Sequence, residues 1–170
     1  MFVGRKEILQ DLETLWRKRT SSIVACRGRR RIGKSTLIRE FARRTADAYI
    51  EIEGLPPSAE KPMSNQDEID HFVTVLNDQT GCGVKKVERW YDAFSLLEKQ
   101  IDDSRKTVVL LDEISWMGHC DHTFPGVLRS AWAMQQSSLP LPTATLARGA
   151  AETLQDARLT CLFRRPRRRM

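Results

Sequence analysis

Apolar residues recur along this chain in two ways: at intervals of three and four, and in short unbroken runs. Ile8, Leu9, Leu12, Leu15 and Trp16 share one face at helical spacing and predict a helix over residues 5–17. Ser21 and Ser22 break it. Residues 23–26, Ile-Val-Ala-Cys, are wholly apolar, as expected of a parallel strand buried on both faces. A loop at 28–33 leads into a second helix from Lys34, with Leu37, Ile38, Phe41 and Ala42 turned inward. Residues 48–52 alternate like a strand, and 53–65 carry three prolines and several turn formers, the composition of a loop. Ile69, Phe72, Val73 and Leu76 predict a helix over 67–78. Trp90, Phe94, Leu97 and Ile101 predict another over 88–101. Residues 107–111, Thr-Val-Val-Leu-Leu, read as a second buried strand, followed by a short loop and a helix over 124–132.

Strands alternating with helices imply an α/β fold, layered around a mainly parallel sheet. The length of 170 residues suits one domain with a real core. No run approaches the roughly 20 apolar residues of a membrane span, and charges interrupt the N-terminus too early for a signal peptide. We therefore expect a cytoplasmic protein with no membrane partner. Its four cysteines, at 26, 82, 120 and 161, show no paired spacing and read as reduced thiols. The net charge is +6, but it is not spread evenly. Residues 133–170 carry seven arginines against Glu152 and Asp156, or +5, leaving +1 for the rest.

The candidate chemistry begins at residues 28–36, Gly-Arg-Arg-Arg-Ile-Gly-Lys-Ser-Thr. Gly28, Gly33, Lys34 and Ser35 complete the Walker A pattern G-x-x-x-x-G-K-[ST], between an apolar strand and a helix as that motif requires. A loop that wraps phosphate must point its amides inward, and glycine tolerates the torsions involved. The helix N-terminus adds free N–H groups and a partial positive charge. Lys34 supplies a full charge for the β- and γ-phosphates, Ser35 a hydroxyl for Mg²⁺, and Thr36 a contact to the α-phosphate. Arg29, Arg30, Arg31 and Ile32 fill the variable positions. For each arginine, phosphate contact and simple solvation both remain open.

The second element of the chemistry is Asp112-Glu113, where the strand over 107–111 ends, in the manner of a Walker B motif. Ligands of open parallel sheets bind beyond the carboxyl ends of the strands. If both strands lie parallel in one sheet, both motifs meet at one edge. Asp112 would then hold the Mg²⁺, and Glu113 would polarise the water that attacks the γ-phosphorus. A water-activating acid favours hydrolysis over transfer to a small-molecule acceptor.

Three blocks of residues carry a resemblance: 2–16 (FVGRKEILQDLETLW), 28–42 (GRRRIGKSTLIREFA) and 108–117 (VVLLDEISWM). In order and spacing they resemble the prokaryotic archaeal-type ATPases, a P-loop family related to AAA+ and STAND ATPases. The resemblance covers residues 1–132. It implies a P-loop NTPase three-layer sandwich, ATP as substrate, Mg²⁺ as cofactor and ATP hydrolysis coupled to a conformational change. It also implies that Phe2, Val3, Gly4 and Arg5 pack near adenine and ribose, that Gly28 to Thr36 hold the phosphates with Lys34, and that Asp112 and Glu113 serve the metal and the water. What protein or DNA partner the ATP would serve is left open.

Beyond Trp132 the chain departs from that family. The family's sheet has order 5-1-4-3-2, with its fourth strand between the Walker A and Walker B strands. Residues 133–170 offer no clean β-branched run, and 139–147 contains two prolines that a central strand rejects. The expectation is an incomplete sheet with the fourth core strand missing, an ATPase domain over 1–132, and a basic, disordered or non-native tail over 133–170. A truncated gene read in a shifted frame would produce this pattern, leaving an inactive, poorly soluble remnant. A different class of function, a basic nucleic-acid-binding module in which the loop is incidental, is the alternative. His119, Cys120 and His122 read as a polar loop rather than a metal site.

Overall fold

Helices cover a four-stranded sheet from two sides in this computed structural model, which describes residues 6–17, 22–26, 31–58, 62–84, 86–102, 104–134 and 159–164. The elements run α1 (Lys6–Arg17), β1 (Ser22–Cys26), α2 (Lys34–Thr45), β2 (Ala48–Glu53), α3 (Asn65–Thr80), α4 (Trp90–Gln100), β3 (Thr107–Asp112), α5 (Ile114–Met117), α6 (Phe124–Met134) and β4 (Leu159–Arg164). The α/β class follows the hydrophobic pattern.

The alternation of β3 decides the layering. Val108 and Leu110 face a cluster built by Leu9, Leu12 and Trp16 of α1 and Leu37, Ile38 and Phe41 of α2. Val109 and Leu111 face the opposite cluster, built by Ile50 and Ile52 of β2 with α3, α4 and α6. A strand covered on both faces has no polar side to show, which is why its sequence is one apolar run. The aromatic residues of the middle region form the centre of the second cluster. Trp90 stacks on Phe94 at 5.7 Å and meets Phe124 edge-on at 4.7 Å, and Phe72 meets both Trp90 and Phe94 edge-on. Trp90 Nε1–H donates to Asn65 Oδ1 at 2.8 Å, so the indole is buried without losing its hydrogen bond. Among the described residues no helix is long and apolar enough to cross a membrane.

The sheet order is β1-β4-β3-β2. β2 and β3 pair in parallel, and β4 pairs antiparallel with both β1 and β3, so β1 runs parallel to β3. This corrects the expectation of a missing fourth strand. The position between β1 and β3 is filled, by Leu159–Arg164, which the sequence reading passed over. The reason is physical. A gap there would leave two rows of backbone N–H and C=O groups unpaired inside the sheet, and buried backbone groups are satisfied almost without exception. Residues 159–164, Leu-Thr-Cys-Leu-Phe-Arg, supply both rows at once. A central parallel strand is expected to be β-branched; this sheet accepts a short run of Leu, Thr, Cys and Phe in the opposite direction. β4 lies between β1 and β3 and runs antiparallel to both.

Other differences are local. α3 starts at Asn65, two residues before the predicted start, because Ser64 caps it: the hydroxyl accepts from Asp67 N–H at 3.1 Å while the Asp67 carboxylate accepts from Ser64 N–H at 2.9 Å. Ile8, assigned to the inward face of α1, is 43% exposed and lies at the edge of the apolar stripe. A four-residue helix, α5, replaces the predicted loop after Glu113.

Candidate functional site

The parallel strands β1, β2 and β3 all finish at one edge of the sheet. The register sets Cys26 opposite Leu159, Leu159 opposite Asp112, and Asp112 opposite Glu53. The ends of β1 and β3 are thus one strand apart, about 10 Å at the usual interstrand spacing. The loop leaving β1 returns as the head of α2.

Position 112 follows 108 and 110 in the alternation, so Asp112 belongs to the face that α2 covers. Ser35 lies in the first turn of α2. The two meet: the Ser35 hydroxyl donates to Asp112 Oδ2 at 2.5 Å across 77 residues of sequence. The other carboxylate oxygen, Oδ1, accepts the Glu113 N–H at 2.9 Å. Asp112 is therefore oriented from both sides. Glu113 leaves the strand with φ of 47°, in the left-handed region, and caps α5. Both acids are partly buried, as are Gly33, Lys34 and Ser35, while Arg31, Ile32 and Thr36 are exposed.

The last part of the loop has the backbone form that anion cradles use. Arg31 has φ of 60° and Gly33 of 80°, and left-handed residues interspersed in a turn bring successive N–H groups to one side. Gly33 is the N-cap of α2 and brings no side chain to cap it, and a Cβ there would meet nothing within 4 Å. The first turn of α2 holds no acid to offset the partial positive charge of the helix N-terminus. Gly28, Arg29 and Arg30 lie outside the described residues, as do Phe2, Val3, Gly4 and Arg5.

One turn further along α2, Arg39 forks onto Glu51 of β2, with Nε at 3.0 Å from both oxygens and Nη2 at 2.5 Å from Oε1, and Tyr49 donates to the same carboxylate at 2.8 Å. Burial pushes the Glu51 carboxyl up, but the hydrogen bonds from Arg39 and Tyr49 outweigh it and hold it below the usual carboxylate range. These three residues tie α2 to β2 and fix the helix whose head carries Lys34 and Ser35. Sequence reading missed them, because a pairing across 12 residues has no local signature.

The oxygen pair at Ser35 and Asp112 is the donor chemistry a hard divalent cation takes. The residues present therefore fit Mg²⁺. By contrast, His119 and Cys120 are exposed, Cys120 donates to the Met63 carbonyl at 3.0 Å, and among the described residues no group of three or more metal-ligating side chains occurs. A cavity of about 260 Å³, bounded by Leu55, Met63, Glu68, Trp116 and His119, lies apart from the Ser35–Asp112 contact.

Comparison with known proteins adds one relative. No protein-family model matches the chain, and no solved structure matches it. An uncharacterized ATP-binding protein of Methanocaldococcus jannaschii is 46% identical over 41 residues. The match covers 70% of that protein and 24% of this chain. The chain belongs to the family of that archaeal protein. The shared stretch is short, and it speaks for that fraction of the chain.

Proposed function

We propose that this chain is a P-loop ATPase domain of the archaeal-type, AAA+/STAND-related kind, which binds ATP with Mg²⁺ at the edge where β1 and β3 end and hydrolyses it. The observation that carries the reading is the hydrogen bond from Ser35 to Asp112. Two residues 77 apart, singled out because one belongs to a phosphate loop and the other to a strand-end acid pair, touch. The name of the archaeal relative supports ATP as the nucleotide.

In this reading the amides of the loop and of the first turn of α2 receive the β-phosphate, and Lys34 adds its ammonium to the β- and γ-oxygens. Ser35 and Asp112 would hold magnesium, which when bound would supply positive charge against the triphosphate. Glu113 accepts a hydrogen bond from the attacking water and orients it toward the γ-phosphorus. The water oxygen bonds to phosphorus as the bond to the β-bridging oxygen breaks, giving ADP and inorganic phosphate.

The test is the magnesium dependence of ATP affinity, in the wild type and in Asp112→Asn. Magnesium should tighten ATP binding in the wild type and have little effect in the variant. Equal magnesium dependence in both proteins would remove Asp112 from the site.

A further inference from the structure

The Asp112–Glu113 turn is braced from the side by the main chain that leaves β2. Gly54 N–H donates to the Asp112 carbonyl at 3.0 Å. A Cβ on Gly54 would lie 2.9 Å from the Glu113 carbonyl oxygen and 3.1 Å from the Met117 backbone nitrogen. Neither atom is the loose end of a side chain, so only glycine lets the two segments approach this closely. Glu113 sits in the left-handed region, a conformation that its surroundings must enforce. The next amide of the brace, Leu55 N–H, donates to Glu68 Oε2 at 3.2 Å. Glu68 is a charged residue of α3 with 3% exposure, and it has no place in the chemistry described above. Burial pushes its carboxyl up, and the Leu55 hydrogen bond only partly offsets that. Among the described residues, the hydrogen bond that its carboxylate accepts comes from this brace.

We infer that Gly54 and Glu68 are positioning residues: Glu68 anchors the Leu55 amide, this seats Gly54 against the Glu113 carbonyl, and the contact sets the direction of the Glu113 carboxylate. The inference rests on the reading of Glu113 as the group that orients water. It predicts that damage to the brace lowers turnover and spares nucleotide binding, since Lys34 and Ser35 lie on α2, across the sheet, and the brace meets Asp112 at its main-chain carbonyl while Ser35 holds the carboxylate.

The test combines steady-state kinetics, Mg-ATP affinity and amide chemical shifts on the full chain. Gly54→Ala should cut kcat by about tenfold or more, in line with the cost of a small misplacement, with KM and Mg-ATP affinity close to wild type. Its largest shifts should fall on Asp112, Glu113 and Trp116. Glu68→Leu, which deletes the acceptor, should act in the same direction, and Glu68→Gln, which keeps a carbonyl acceptor for Leu55 N–H, should restore turnover. Unchanged kcat in both Gly54→Ala and Glu68→Leu would overturn the inference, and so would equal loss in Glu68→Gln and Glu68→Leu. Should Gly54→Ala fail to fold, the Glu68 pair decides. A wild-type chain that binds Mg-ATP without turnover would sink the catalytic reading itself. The shifts would then judge the brace alone, and their absence at Glu113 would end it.

Discussion

Glu113 and Asp112 are adjacent acids with different surroundings, and the roles proposed for them rest on that difference. Asp112 is pinned by Ser35 and by the Glu113 amide. Glu113 turns out of the strand in a left-handed conformation. Glu113→Gln should therefore keep Mg-ATP affinity and lose turnover by about 10²- to 10⁴-fold, measured as phosphate release at saturating nucleotide. Comparable loss of affinity would instead make Glu113 a binding residue. Two further carboxylates give opposite pH signatures. Glu51 is held below its ordinary range, so its contribution is present above about pH 4.5 and fades as pH falls through the lowered value. The melting temperature of Glu51→Gln should lie below wild type at pH 7, and the gap should close in acid. Glu68 is pushed up, so its contribution is favourable in acid and is lost as pH rises through the raised value. Glu68→Gln should therefore melt higher than wild type at pH 7, with the gain shrinking towards pH 4. Melting curves of both variants across pH 3–8 check the two signs together.

At the scale of elements, β4 decides whether the sheet is whole. It pairs with β1 over residues 159–163 on one side and with β3 over 159–164 on the other. Leu162→Pro removes a ladder donor in the middle of the sheet and should cost about 3 kcal/mol or more, read as a lower urea midpoint. No loss of stability would mean that β4 is not an inner strand. Ser64→Ala should cost about 1 kcal/mol, through the capping box of α3. Much of this level was legible in the sequence. The apolar stripes of α2 and α4 and the unbroken run of β3 follow from burial on one face or on two, and periodicity records that directly. β4 was not legible, because its length and composition suit many irregular segments. What makes it a strand is the gap it enters, and that gap is a property of β1 and β3. The Arg39–Glu51–Tyr49 tie and the Gly54 approach were hidden for the same reason: each depends on a partner distant in sequence.

On the scale of the whole molecule, the sheet separates two cores and brings three strand ends to one edge. Sequence reading placed Ser35 and Asp112 at one edge on the condition that β1 and β3 run parallel in one sheet, and they do, with β4 between them. The direct contact could be argued only from structure, since it needs Asp112 on the α2 face of β3. The positive charge of the chain is concentrated in residues 133–170, so in the proposed reading the nearly neutral remainder would rely on local charges, Lys34 and the α2 N-terminus, to attract a polyanion. Calorimetric titration of Mg-ATP into this 170-residue chain, beside the Lys34→Ala variant, tests that claim most directly. The account predicts a one-to-one isotherm for the wild type and loss of measurable binding in Lys34→Ala at the same concentrations. Identical isotherms for the two proteins, or no heat from a folded wild type, would contradict it.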